Sequence, residues 1–123
     1  MKSIKTYLHD AGRVSDGFGN EKLDCAVRAY AIVKQIPYLE AHQLFEKAGR
    51  KPRHKTNIEI YANLGIRFCS SYITLKQFIK EHPKGSFYMC KRGHAFAVQD
   101  GIVFDTVKLS GRTIVKKWFA VKL

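Results

Sequence analysis

Residues 24–36, DCAVRAYAIVKQI, constrain the fold more than any other stretch of the chain. Written as a helix, Ala26, Val27, Ala29, Tyr30, Ala31, Ile32, Val33 and Ile36 leave it almost no polar face. A helix apolar nearly all round has to be surrounded by other elements, so it is expected at the centre of the molecule. Asp24 is a good N-cap, with a carboxylate able to accept from the free N–H groups of the first turn. Pro37 suits the first turn of a second helix. Tyr38, Ala41, His42, Phe45 and Ala48 then recur at three-to-four spacing until Gly49 ends the pattern.

The flanking segments have weaker signals. Residues 1–23 are polar and dotted with Gly12, Gly17 and Gly19, and read as an extended entry segment. Residues 50–56 form a basic loop. Thr56 or Asn57 can cap a short third helix through Leu64, closed by Gly65, and residues 66–69 read as a short strand. Thr74 caps a fourth helix, LKQFIKEH, stopped by Pro83 and Gly85. From residue 86 the period becomes two, with strands expected at 86–91, 94–99, 102–107 and 113–122. Asp100-Gly101 is a strong signal for a two-residue hairpin turn. Helices first and a meander last is an α+β order. The expectation is one domain over residues 1–123, with a buried central helix packed on a C-terminal antiparallel sheet.

Composition narrows the function classes. Twenty-two Lys and Arg face ten Asp and Glu in 123 residues, a formal net charge of +12. Such a field attracts polyanions, so nucleic acid or an acidic partner enters as an alternative. Arg50, Lys51 and Arg53 would carry that surface, together with Lys47, Lys55 and the acid-free tail beyond Asp105. It would bind by counterion release without base specificity. Trp118 and Phe119 in that tail are expected in the core. No apolar run approaches the ~20 residues of a membrane span, so no membrane partner is expected. The first residues lack the apolar stretch of a signal peptide, and a cytoplasmic location is expected. Cys25, Cys69 and Cys90 are an odd number, which argues against a disulfide framework. Cys90 and His94 are four apart, but two further ligands are not in view, and no metal or other cofactor is expected.

Cys25 falls on the first turn of the central helix, where the helix dipole and free N–H groups favour a thiolate. His94 opens a strand after Gly93, placed to reach a neighbouring helix end. The other four histidines are weaker candidates. His42 is expected to be packed, His54 and His82 lie in loop or helix-end positions, and His9 is in the entry segment. A two-residue turn at Asp100-Gly101 pairs Gln99 with Ile102, Val98 with Val103 and Phe96 with Asp105. Asp105 then shares a face with His94, one diagonal away, at about 7–8 Å between backbones. Asp100 sits six residues along the strand from His94, about 20 Å away and too far to help. A cysteine nucleophile, a histidine base and an orienting acid together support attack on a carbonyl.

On these residues the sequence resembles the papain-like cysteine peptidase superfamily in a minimal form. Cys25, His94 and Asp105 follow the superfamily's order. D-C-x-V-R-A at residues 24–29 and H-x-x-A-V-x-D-G-x-x-x-D-T at residues 94–106 resemble a group of small papain-like proteins of bacteriophages and bacteria. The bacteriocin-processing-type peptidases are the nearest better-known branch. The resemblance spans roughly residues 20–122, loosely over 66–90. It implies a papain-like α+β fold and a hydrolase acting on a protein or peptide substrate through an acyl-enzyme, in a host cytoplasm if phage-encoded. Papain-like enzymes usually hold the oxyanion with a glutamine about six residues before the cysteine. Gly19 stands there, and the neighbouring Asn20 is either an oxyanion donor alongside the Cys25 N–H or a turn residue. The acid is aspartate where papain itself has asparagine. Besides the nucleic-acid alternative, a catalytically silent papain-like protein contacting a host partner fits the same pattern.

Overall fold

A computed structural model describes residues 5–8, 10–14, 17, 23–51 and 56–121. Its elements run β1 (Lys5–Leu8), α1 (Cys25–Lys34), α2 (Tyr38–Lys47), α3 (Ile58–Asn63), β2 (Cys69–Thr74), α4 (Leu75–Glu81), β3 (Ser86–Lys91), β4 (His94–Gln99), β5 (Ile102–Asp105) and β6 (Ile114–Val121). Among the described residues the architecture is α+β: four helices and one six-stranded mixed sheet of order β1-β5-β4-β3-β6-β2.

Alternation along the strands divides the core between two layers. Tyr88, Cys90, Ala95 and Ala97 pack with α1, α2 and α3, around Val27, Val33, Tyr38 and Phe45. Phe87, Met89, Phe96 and Val98 pack with Leu75 and Phe78 of α4 and with Val103 and Val115. The small residues of β4 therefore face the helical layer and its large ones face α4. Ala95 and Ala97 let α1 lie close against β4, and α1 also touches β3, β5 and α2. The buried centre demanded by residues 24–36 is thus filled by α1, with Ala26, Val27, Ala29, Tyr30, Ala31 and Val33 all buried.

Local chemistry sets the boundaries. Asn57 and Thr74 cap α3 and α4 by accepting from Ile60 N–H at 3.1 Å and Gln77 N–H at 3.2 Å. Asp100 and Gly101 have φ of 49° and 79°, as a primed hairpin turn requires. The hairpin pairs Gln99 with Ile102, Val98 with Val103 and Ala97 with Phe104. Asp100 also accepts from Gly85 N–H at 2.9 Å, fastening the turn to the end of α4's loop.

Four expectations need correction. Asp24 flanks α1 but makes no side-chain cap, because its carboxylate is turned to other partners. The sheet is not purely C-terminal or antiparallel. Lys5–Leu8, read as an extended entry, pairs parallel with β5. The short strand expected at 66–69 instead begins at Cys69 and runs to Thr74, pairing with β6 through an irregularity between Ser70 and Ile73. The strand expected at 102–107 stops at Asp105, where the Asp105 carboxylate accepts from Thr106 N–H at 2.7 Å and turns the chain. No helix among the described residues is long and apolar enough to cross a membrane.

Candidate active site

The N-terminus of α1 meets the first residue of β4 and the last residue of β5. That junction brings together Cys25, His94 and Asp105. His94 Nε2 lies 2.6 Å from Asp105 Oδ2, a short charge-assisted contact, and Asp105 is 3% exposed. The ring's remaining nitrogen, Nδ1, is left for the Cys25 thiol, which hydrogen-bonds the His94 side chain. Cys25 Sγ also accepts from the Ala95 N–H at 3.4 Å. The hairpin register derived from Asp100-Gly101 accounts for the Asp105 position, and Asp100 is occupied at the turn.

The electrostatics favour a charged pair. Burial raises the Cys25 thiol, but the His94 hydrogen bond, the Ala95 N–H, and the charges of His94 and Arg28 outweigh it, and the net shift is down from 9.0. The hydrogen bond to Asp105, then that to Cys25, pushes His94 up to about 9, against the opposing effect of burial. Both shifts favour the thiolate–imidazolium form of the pair over the neutral one.

A second buried group supports the first. Arg28 Nη1 donates to Asp24 Oδ1, and its Nη2 lies 4.0 Å from Asp105 Oδ1. Asp24, 1% exposed, also accepts from Tyr38 OH at 2.8 Å and Arg13 Nη1 at 3.2 Å. Arg28 thus links the carboxylate that orients His94 to one anchored on α2 and on the segment before α1. The guanidiniums of Arg13 and Arg28 stand against the Asp24 carboxylate, and Arg28 also faces Asp105; this pairing offsets the cost of burying the two acids.

Sequence reasoning missed this role for Asp24 and Arg28. A signal was present: an arginine three residues after the cysteine, in a helix otherwise apolar all round, needs an acid to neutralise it. Asp24 four residues earlier is on the same helical face.

A cavity of about 200 Å³ opens beside Cys25 and His94. Among the described residues it is bordered by Thr56, Tyr61, Cys90, Lys91, Gly93 and Lys117, among others. Cys90, the other half of the four-residue spacing with His94, is 6% exposed, and burial pushes its thiol up to about 12. It is a wall of the cavity and an inert thiol at neutral pH.

No family model, no curated protein and no solved structure matches this chain.

The remaining site expectations divide. Asn20 and Arg53 lie outside the described residues. Arg50 does not belong to a cationic surface, because it is 2% exposed, packed beneath the end of α2. Its N–H caps that helix end by donating to Phe45 O at 2.8 Å. Lys51 is exposed. His42 is buried beside Tyr38, as expected, and Trp118 packs against Phe78 and Phe87.

Proposed function

We propose that this chain is a small papain-like thiol hydrolase acting on an amide, isopeptide or thioester of a protein or peptide substrate. The observation that carries the reading is the connected series Cys25–His94–Asp105, with the thiol lowered, the imidazole raised and the acid buried. The cysteine at a helix start and the histidine and acid on adjacent strands, in that chain order, support the papain-like assignment.

In the reaction, the Cys25 thiolate attacks the carbonyl carbon. A C–S bond forms as the carbonyl pair moves to oxygen. Among the described residues, the Cys25 backbone N–H at the first turn of α1 is placed to serve as an oxyanion donor. The intermediate collapses, the bond to the leaving amine or thiol breaks, and the His94 imidazolium supplies the proton that leaves with it. A thioester on Cys25 remains. Neutral His94 next takes a proton from water as its oxygen attacks the thioester. The C–S bond breaks, the acid is released, and the thiolate–imidazolium pair is restored. Asp105 holds the ring with Nδ1 toward sulfur throughout. The nucleophile must stay a thiol, which agrees with a reducing compartment such as the cytoplasm.

The test is acyl-enzyme trapping. Incubation with an activated acyl thioester at low pH, followed by intact-mass and peptide mapping, should show one acyl group on Cys25. Cys25→Ala should abolish both the adduct and turnover. An adduct spread over Cys25 and Cys69, with turnover unchanged in Cys25→Ala, would contradict the reading.

A further inference from the structure

The cavity beside Cys25 carries charge that the mechanism above does not use. Lys91 ends β3 and Lys117 lies on the neighbouring strand β6; both border the cavity. Neither has a carboxylate partner among the described residues, where the ion pairs engage Arg13, Arg28, His42 and His94. The Lys117 ammonium is held over the rings of Phe68 at 4.5 Å and Tyr61 at 5.5 Å. Ring faces fix a cation in place without neutralising it. Among the described residues no Asp or Glu borders the cavity. Thr56 Oγ1 is buried at its wall with no hydrogen-bond partner, and a buried hydroxyl without a partner is costly unless a ligand completes it.

We infer that this cavity selects a substrate bearing a carboxylate next to the bond attacked, with Lys91 and Lys117 as its counter-ions and Thr56 Oγ1 as a neutral hydrogen-bond partner. The inference rests on the thiol-hydrolase reading for the reaction, but the anion preference is a property of the cavity itself. The apolar walls, the Tyr61 ring among them, reduce solvent screening and strengthen the discrimination between a carboxylate and its amide. The carboxylate could be an acidic side chain or a free C-terminus, since both present the same group.

Iodoacetate and iodoacetamide are matched probes: the same alkylating carbon beside either a carboxylate or an amide. The readout is the ratio of their rates at Cys25, measured by peptide mapping. Lys91→Gln/Lys117→Gln should lower that ratio about tenfold at low salt, and less at high salt. Lys91→Gln alone should lower it about threefold and keeps the test readable if loss of the Lys117 stem impairs folding. Lys91→Arg should restore it. Lys76→Gln/Lys84→Gln, on the exposed surface of α4 and its loop, should leave the ratio unchanged and so controls for the net charge of the protein. Tetrapeptides with Glu or Gln near the centre, each with a free or amidated C-terminus, then compete against iodoacetamide at Cys25. Stronger protection by Glu assigns the carboxylate to a side chain; stronger protection by the free acid assigns it to the C-terminus. An unchanged ratio in both lysine variants, or equal protection by all four peptides, overturns the inference. Failure of the hydrolase reading has a different signature: iodoacetamide would then alkylate Cys25 no faster than Cys69, whatever the ratio between probes.

Discussion

Asp105 is the residue whose replacement separates orientation from folding. It bonds His94 Nε2 through one oxygen and Thr106 N–H through the other. Asp105→Asn should reduce thioester hydrolysis about a hundredfold or more, because the ring loses its fixed tautomer and its raised basicity. The pH dependence follows in sign. Protonation of a leaving amine needs imidazolium, so amide cleavage by the native protein should fall as pH rises through about 9, where His94 loses its proton. In Asp105→Asn the largest cause of the raised value is gone, and that alkaline limb should move to lower pH. Asp100→Asn should leave the limb in place, since Asp100 only fastens a turn. A limb that stays at about 9 in Asp105→Asn would separate Asp105 from the histidine. Arg28 is a positioning residue. Arg28→Met leaves Asp24 and Asp105 buried without their shared cation, at a cost of about 3–5 kcal/mol in urea unfolding. Arg28→Lys should recover part of the stability but not the two-headed contact, so its turnover should remain depressed.

At the scale of elements, the site depends on how closely α1 approaches β4. Ala97 is fully buried between them. Ala97→Leu should cost about 1–3 kcal/mol by overpacking, and by displacing α1 it should also slow alkylation of Cys25. Stability loss with unchanged Cys25 reactivity would show that the junction tolerates a shift. Tyr88 makes a second tie: its hydroxyl donates to Ala26 O at 3.0 Å and meets Tyr61 OH at 3.1 Å. Tyr88→Phe should cost about 1–3 kcal/mol by removing both of these buried hydrogen bonds. Elements with strong local signals were legible in the sequence. The apolar run of α1, the Asn57 and Thr74 caps and the Asp100-Gly101 turn each act within a few residues, and the turn alone fixed the register that brings Asp105 to His94. What was not legible depends on distant partners. Lys5–Leu8 is a strand because β5 offers it an edge, and Cys69–Thr74 because β6 does. The Asp24 side chain looked like a cap until Arg28, Arg13 and Tyr38 competed for it.

For the whole molecule, the net charge of +12 divides between the cavity beside Cys25, bordered by Lys91 and Lys117, and exposed residues such as Lys51. The basic loop does not act as one unit, because Arg50 is buried while Lys51 is exposed. Arg50→Ala should lower the urea midpoint by removing a packed side chain, whereas Lys51→Ala should not. If the surface binds nucleic acid, Lys51→Ala should weaken binding across all sequences alike, with a flatter salt dependence, and leave Cys25 chemistry unchanged. Loss of Cys25 reactivity in folded Lys51→Ala would instead make Lys51 part of the site.

The central claim is that Cys25 is held as a thiolate by His94, and the rate of its alkylation by iodoacetamide against pH tests it most directly. Cys69, exposed and outside the site, is the internal reference. Cys25 should react faster than Cys69 at neutral pH, with a rate that rises at lower pH than that of Cys69, and His94→Ala should remove that advantage. A Cys25 rate equal to that of Cys69, rising only near pH 9 and indifferent to His94→Ala, would contradict the account.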